Sequence, residues 1–315
     1  MSLTRRQFAT LAAAGPLAGF VNVSSANAAG HSAGAPALYD MPLGNYHITA
    51  LLDGIAPLGR NFFFGDDAAI DAAASSVGLS DVLPAPVSAY LLTSDERTIL
   101  IDAGMGSIDL LGPGFGRMGA ALAAMGLGEA DIDTVVVTHM HPDHVGGLLG
   151  EGGPAFSAAE VIVAEAEHGF WTDASMRAQA PAEAQGLFDL AGGVLGAYAG
   201  RVTLARDGEE IAPGVSLTVS PGHTMGHALL RIDGGDRQLL MVADTLHSAD
   251  VHTALPDTGF GFDTDPALAA QSRRRVFDMV AADQMLIAGS HIHFPGFGRI
   301  VADGEAYRFV PSTWL

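Results

Sequence analysis

The feature that most limits how this chain can fold is the stretch THMHPDHVGGL, residues 138–148. Four ionisable side chains, those of His139, His141, Asp143 and His144, are crowded together in it. The stretch follows the apolar run TVVV, which predicts a buried strand. Burying polar groups without partners costs free energy, so such a cluster needs something to bind. Side chains two positions apart lie on one face of an extended segment, and the first two imidazoles can therefore reach one metal ion.

Three more polar residues follow predicted strands further along the chain. SPGH ends in His223, VAD ends in Asp244, and AGSH ends in His291. A single Asp or His after a strand is commonly a cap or turn residue, but capping explains three successive cases poorly. The proline of the first stretch turns the chain, so Asp143 and His144 can face a second ion. A two-metal site with ions about 3.5–4 Å apart fits this spacing.

Composition narrows the chemistry further. The chain of 315 residues contains no cysteine, so any metal is held by His, Asp and Glu. Its formal charge is −20, from 35 acidic and 15 basic residues, and this acidity argues against a nucleic-acid partner. After the N-terminal segment, no apolar run approaches the roughly 20 residues that a membrane helix needs. The hydrophobic content of 49% indicates a globular protein.

The N-terminal residues have the pattern of an export signal. The motif TRRQF contains a pair of arginines, a weakly apolar stretch follows, and ANA supplies small residues for cleavage. We expect residues 1–28 to be a twin-arginine signal peptide and residues 29–37 to be a linker. The expected location of the mature protein is the periplasm or the exterior of the cell.

From residue 38 onwards, strand and helix patterns alternate, which predicts one α/β domain (α+β by some schemes) with helices covering sheets. The helical patterns are 119–127, 178–198 and 266–282, the last with Asp265 as N-cap and Pro266 in its first turn. The predicted strands are 46–52, 87–92, 98–101, 134–137, 160–163, 215–219, 228–232, 238–242 and 285–288.

The ordered set HxHxDH, His, Asp, His resembles that of the metallo-β-lactamase-fold hydrolase superfamily, over residues 38–315. The resemblance implies a four-layer αββα sandwich with two divalent metal ions, zinc being expected and manganese, iron or cobalt compatible. Hydroxide bridging the metals would attack the substrate, with Asp143 and Asp244 as catalytic residues. By this match the first metal is held by His139, His141 and His223, the second by Asp143, His144 and His291, and both by Asp244.

Four stretches resemble the methyl parathion hydrolase and quorum-quenching lactonase-like group: ITALLDG (48–54), SAYLLTSDERTILIDAGMG (88–106), AEAEHGFW (164–171) and SHIHFPGFGRI (290–300). This resemblance implies a small-molecule lactone, aryl ester or phosphotriester as substrate. It places Trp171 and Phe262 in the substrate pocket, and we also expect His293 there, at a position where the group often has proline.

Several alternatives remain open at this stage. The same fold and metals could serve a thioester hydrolase of the glyoxalase II type or an iron-dependent persulfide dioxygenase. His227 and His247 could support the metal ligands from behind or play structural roles. The aromatic run Phe62, Phe63 and Phe64 could be core, a flap over the substrate pocket, or part of a homodimer interface.

Overall fold

The computed structural model describes residues 36–312. The predicted signal peptide and most of the predicted linker therefore lie outside the described residues. None of the helices within 36–312 is long and apolar enough to cross a membrane. The helices are α1 (Asp67–Ser76), α2 (Met118–Ala124), α3 (Pro142–Val145), α4 (Glu165–Thr172), α5 (Ala174–Gln179), α6 (Ala182–Ala197), α7 (Ala249–Ala254) and α8 (Pro266–Ala282).

The strands form two seven-stranded sheets and two short ribbons in the described part of the chain. The first sheet has the order β1-β2-β4-β5-β6-β9-β10, and the second has the order β11-β12-β13-β14-β16-β17-β18. The strands are β1 (Leu38–Leu43), β2 (Tyr46–Gly59), β3 (Phe63–Phe64), β4 (Val82–Thr93), β5 (Thr98–Ile101), β6 (Thr134–Val137), β7 (Leu149–Gly150), β8 (Gly153–Pro154), β9 (Glu160–Ala164), β10 (Val202–Ala205), β11 (Glu210–Ala212), β12 (Val215–Val219), β13 (Ala228–Asp233), β14 (Gln238–Met241), β15 (Gly259–Phe260), β16 (Leu286–Ala288), β17 (Phe297–Asp303) and β18 (Ala306–Pro311).

The alternation of side chains along the strands produces four layers. In β6, Val136 packs into the core between the two sheets, whereas Val135 and Val137 pack into the core beneath α2, α4 and α6. On the other side, α8 packs Val276 and Phe277 against the outer face of the second sheet. The order of layers is therefore helix, sheet, sheet, helix, and the predicted αββα sandwich of a single domain is confirmed.

Local sequence accounts for the sharp start of α8. The side chain of Asp265 accepts a hydrogen bond from the backbone N–H of Leu268, and Pro266 occupies the first turn, where a missing N–H has no cost. Phe277 is fully buried beneath the second sheet. Truncating it to alanine should lower the free energy of unfolding by about 3–5 kcal/mol.

The polar strand ends meet at one edge of the sandwich. Strands β14 and β16 are parallel, so the residues that follow them, Asp244 and His291, emerge at the same end. The loop between β12 and β13 carries His223, and the backbone N–H of Ala228 after that loop donates to the carbonyl of Thr138 at the end of β6. This hydrogen bond joins the two sheets beside the histidine cluster.

Candidate metal centre

The stretch at residues 138–148 turns sharply after β6. His141 precedes α3, and Asp143 and His144 occupy the first turn of that short helix. Two glycines then let the chain pass close to a neighbouring backbone segment. A Cβ atom at Gly146 would lie 2.2 Å from the carbonyl oxygen of Met105, and one at Gly147 would lie 2.0 Å from that of Ala103. Any side chain here would push α3 out of place.

Three imidazoles form the first donor set. The distance between His139 Nε2 and His141 Nδ1 is 3.2 Å, and that between His141 Nδ1 and His223 Nε2 is 2.9 Å. The third side, from His223 Nε2 to His139 Nε2, is 3.2 Å. All three side chains are buried. Nitrogen atoms gathered this closely can share a cation through their lone pairs.

Asp143, His144 and His291 form the second donor set. His291 Nε2 lies 3.4 Å from Asp143 Oδ2, and His144 Nε2 lies 3.7 Å from the same oxygen. The ligand atoms of these three side chains all lie within 4.8 Å of one another.

Asp244 lies between the two donor sets. Its Oδ1 atom is 3.2 Å from His144 Nε2 in the second set. Its Oδ2 atom is 3.3 Å from His223 Nε2 in the first set and 3.0 Å from His291 Nε2 in the second. One buried carboxylate thus faces both groups of donors.

Two atoms at the centre of this cluster indicate that it can bind cations. His144 Nε2 and Asp244 Oδ1 are buried and, although they lie 3.2 Å apart, neither makes a hydrogen bond of acceptable geometry among the described residues. Buried polar atoms are normally paired, so orphaned atoms in a cage of His and Asp suggest metal ligands. Imidazole and carboxylate donors suit zinc, manganese, iron or cobalt, and the residues present fit two divalent ions.

The electrostatics differ from one ligand to the next: burial opposes protonation of each imidazole, but nearby carboxylates raise the pKa of His144, His223 and His291 above the usual histidine value. Burial lowers the pKa of His139 and His141 well below the usual histidine value, and neighbouring imidazoles add to this effect. Burial by itself would raise the pKa of the Asp244 carboxyl, but the charges of His144 and His291 hold that pKa well below its usual range. His139, His141 and Asp244 are therefore in the form that binds metal at neutral pH, whereas the other three imidazoles must release a proton when metal binds.

Outer hydrogen bonds fix the orientation of the imidazoles. His144 Nδ1 lies 2.7 Å from Asp102 Oδ2, and His223 Nδ1 lies 2.9 Å from Asp263 Oδ1. His291 Nδ1 donates to a backbone carbonyl 2.7 Å away. When the outer nitrogen carries the hydrogen, the inner nitrogen presents its lone pair to the centre.

Sequence reasoning missed both supporting carboxylates. Asp102 follows β5, and its positive φ of 59° is uncommon for a residue other than glycine. Asp102 directly follows a predicted strand, as several predicted ligands do, and this position is the sequence signal that could have identified it. Asp263 lies in an irregular segment before α8, and no sequence pattern singles it out.

The two additional histidines lie beside Asp244. His227 Nε2 accepts a hydrogen bond of 3.1 Å from the backbone N–H of Asp244, and its other ring nitrogen lies 3.1 Å from the carbonyl of Ser220. His247 Nε2 lies 3.1 Å from Asp244 Oδ2, and its ring stacks on Phe260 at 3.7 Å. Burial lowers the pKa of both imidazoles, to about 4 for His227 and about 3 for His247.

A cavity opens beside the donor sets, with about 510 Å³ of empty space that includes its opening to solvent. Among the described residues that line it, the ionisable ones are all His or Asp, and the remainder are apolar or proline. Such a lining suits a largely apolar molecule. The apolar lining residues are Ala56, Leu58, Ala85, Met105, Leu110, Leu111, Leu187, Phe260 and Phe262.

The expected aromatic pocket residues fall in different places. Phe262 lines the cavity, and Phe62 stacks on it from behind at 5.3 Å. Phe63 is buried in the core and Phe64 is partly exposed, so neither lines the cavity. Both belong to β3, which pairs with β15, and their side chains lie on opposite faces of it: Phe63 packs against Phe260 and His252, and Phe64 is on the other face.

Trp171 and His293 also lie outside the cavity lining. The indole N–H of Trp171 donates to a buried carboxylate of its own helix, and this bond holds the ring in the core, 5.8 Å from that of His141. His293 is exposed and lies 3.2 Å from Asp250 of α7, an ion pair at the surface.

The fold, the two donor sets and the match to a family model together identify a metallo-hydrolase. The family model of the metallo-beta-lactamase superfamily matches residues 82–291, and the chain belongs to that superfamily.

Comparisons with individual proteins agree with this family assignment. The chain is 25% identical over 236 residues to an N-acyl homoserine lactonase from a Bacillus species, covering 69% of this chain and 85% of the relative. It is similar in structure to the hydrolase AbOPH of the beta lactamase superfamily, with a TM-score of 0.82 and 29% identity over 88% of this chain and 98% of the other. It also shares its fold with AidC, a dizinc quorum-quenching lactonase, with a TM-score of 0.82 and 23% identity over 89% of this chain and 99% of the other.

Proposed function

We propose that this chain is a dinuclear metal-dependent hydrolase that cleaves an ester or lactone bond of a neutral, largely apolar small molecule. The observation that carries this proposal is the position of Asp244, whose carboxylate oxygens lie 3.2 Å and 3.3 Å from one imidazole of each donor set. Similarity to N-acyl homoserine lactonases of Bacillus supports an ester bond as the target.

The seven donors divide into two sites in this proposal. His139, His141 and His223 hold the first ion, while Asp143, His144 and His291 hold the second. Asp244 contributes to both. When bound, two divalent ions supply Lewis acidity that polarises the ester carbonyl and lowers the pKa of water.

Asp143 is the carboxylate best placed to move protons. Its side chain is 16% exposed, compared with 3% for Asp244, and it lines the cavity. We assign Asp143 the transfer of a proton from the attacking water to the leaving oxygen of the ester, which balances the hydrolysis without another acid or base. Asp244 keeps its negative charge inside the cage and offsets the positive charge of the ions.

The cavity lining supports a neutral substrate. No arginine or lysine is present among the described residues that line it, so apart from the metal ions no cation there would pair with a carboxylate or phosphate on the substrate. The net charge of −20 also repels anions as they approach. Both features disfavour the anionic glutathione thioesters that a glyoxalase II-like enzyme would use.

A panel of substrates tests this proposal. Metal-reconstituted protein should be assayed with N-acyl homoserine lactones, aryl esters, phosphotriesters, a glutathione thioester and a persulfide. The sharpest pair is p-nitrophenyl butyrate and mono-p-nitrophenyl succinate, which have similar size and leaving group but differ by one terminal carboxylate. We expect kcat/KM to be at least about tenfold higher for the neutral ester, a difference of about 1.4 kcal/mol. Preference for the thioester, or oxygen uptake with the persulfide, would refute the proposal.

A further inference from the structure

Glu167 is a buried carboxylate that has no role in the proposed hydrolysis. It belongs to α4, within the stretch AEAEHGFW, and its side chain is completely buried. It lies outside the lining of the cavity and outside the clusters that could hold a metal. Burying a carboxylate is costly unless hydrogen bonds compensate for the loss of water, so its contacts indicate what it stabilises.

The Glu167 side chain accepts four hydrogen bonds. Its Oε1 atom accepts from the backbone N–H of Met140 at 2.9 Å and from the indole N–H of Trp171 at 2.7 Å. Its Oε2 atom accepts from the hydroxyl of Thr224 at 2.7 Å and from the backbone N–H of Gly226 at 2.9 Å. Each oxygen thus has two donors, which satisfies the carboxylate.

These donors belong to the two loops that carry the first donor set. Met140 lies between His139 and His141, in the loop after β6 of the first sheet. Thr224 follows His223 directly, in the loop between β12 and β13 of the second sheet. One side chain therefore joins the two sheets at the point where their three imidazoles converge.

The packing around Glu167 leaves the second loop little freedom. A Cβ atom at Gly226 would lie 2.0 Å from the backbone nitrogen of Glu167 and 2.4 Å from its Cα atom. The loop and α4 are thus in direct backbone contact. None of the four hydrogen bonds reaches α3 or the loop that carries His291.

We propose that Glu167 is a positioning residue that fixes the spacing of the three imidazoles of the first metal site. This role rests on the proposed dinuclear function. Glu167 acts through the backbone and side-chain donors of the two loops and of its own helix, and it is itself neither a metal ligand nor part of the cavity lining. Because its hydrogen bonds reach one donor set, its loss should weaken one metal site selectively.

Glu167→Gln is the appropriate perturbation, because it keeps the volume and replaces one acceptor with a donor. An amide nitrogen at the Oε2 position leaves only the N–H of Gly226 unpaired, since the Thr224 hydroxyl can rotate and accept. At the Oε1 position it would face two groups, the N–H of Met140 and the indole of Trp171, that can only donate. The first orientation is therefore favoured, and the loop of His223 is the one released.

Tyr198→Phe provides a matched control for stability. The Tyr198 hydroxyl accepts from the N–H of Phe156 and donates to the carbonyl of Leu148, both at 3.1 Å, and it is buried in the same helical layer. Its removal leaves the buried N–H of Phe156 unpaired, much as Glu167→Gln leaves that of Gly226, while the carbonyl of Leu148 still accepts from the N–H of Ala155. Phe156 lies outside the two loops that carry the first donor set.

The test is a zinc titration of metal-free wild type and both variants against a chromophoric chelator, with urea unfolding as the measure of stability. In Glu167→Gln we expect one zinc dissociation constant to rise about 10–100-fold and the other to stay within about threefold. In Tyr198→Phe both constants should match the wild type despite a similar loss of stability. Unchanged constants in Glu167→Gln, or equal weakening of both, would overturn the positioning role. A wild-type chain that binds fewer than two zinc ions would instead contradict the proposed dinuclear site, and this role with it.

Discussion

Asp53 gives a prediction in which stability and substrate binding change together. It belongs to the stretch ITALLDG and is completely buried. Its carboxylate accepts from the backbone N–H groups of Met105 at 2.9 Å, Gly116 at 3.2 Å and Arg117 at 2.7 Å. These groups belong to the loop that supplies Met105, Leu110 and Leu111 to the cavity lining. Asp53 therefore holds one apolar wall of the cavity in place.

Asp53→Asn should destabilise the protein measurably. Oδ2 receives two of the three bonds, so the amide nitrogen should take the place of Oδ1 and leave the N–H of Arg117 unpaired. Losing one bond to a charged acceptor and burying an unpaired N–H should lower the free energy of unfolding by about 2–4 kcal/mol.

The pH dependence of this loss has a defined sign. Burial raises the pKa of the Asp53 carboxyl, while backbone N–H groups oppose the rise. The folded chain therefore holds this proton more tightly than the unfolded chain does, and the wild type gains stability as the pH falls through the folded pKa toward the unfolded one. Asparagine does not titrate, so the difference between variant and wild type should grow at acid pH.

Urea unfolding at one fixed free zinc concentration measures the loss at neutral pH, and unfolding of both metal-free chains across pH measures its dependence. Steady-state kinetics with short and long acyl esters measures the effect on the cavity wall. We expect KM for the long ester to rise about 3–10-fold, with less change in kcat. A stability within about 0.5 kcal/mol of the wild type, together with unchanged KM values, would refute this account of the loop.

Three further predictions use the same contacts. Asp102→Asn removes the carboxylate beside His144 Nδ1 and should raise the dissociation constant of one zinc ion about 10–100-fold in a chelator titration. Unchanged zinc binding would contradict the proposal that Asp102 supports His144. Gly147→Ala should lower the free energy of unfolding by about 3 kcal/mol or more, because its Cβ atom would meet the carbonyl oxygen of Ala103. The control Gly193→Ala, in α6 with open space around it, should raise that free energy by about 0.5–1 kcal/mol. Because the net charge is −20, raising NaCl from about 0.05 M to about 0.5 M should screen repulsion between surface charges and raise the midpoint temperature of unfolding. A fall in that temperature would show that this repulsion does not limit the stability of the protein.

The sequence predicted elements best where several local signals agreed. The helix at residues 266–282 has the predicted bounds, because an N-cap, a proline and an apolar period all coincide there. The strand expected at 46–52 continues to Gly59, because its pairing with β4 sustains it beyond the apolar run. The helix expected at 178–198 breaks before Pro181, which caps α6.

Contacts between distant residues limited prediction of the site. The seven candidate ligands follow strands and could be recognised from local sequence, and the structure brings them together. The carboxylates behind them could not be assigned, because Asp102 meets His144 across 42 positions and Asp263 meets His223 across 40. The orientation of the Trp171 side chain also depends on a contact between distant residues. Its hydrogen-bond partner Glu167 accepts from the N–H of Gly226, 59 positions away.

The most direct test of the proposed dinuclear hydrolase is a zinc titration of the metal-free chain, with bound zinc and ester hydrolysis measured in the same samples. The substrate should be the one with the highest kcat/KM in the panel. The arrangement of two donor sets around Asp244 predicts that two zinc ions bind per chain and that hydrolysis rises with the second equivalent. Full activity at one equivalent, or no hydrolysis of any neutral ester at two, would contradict it.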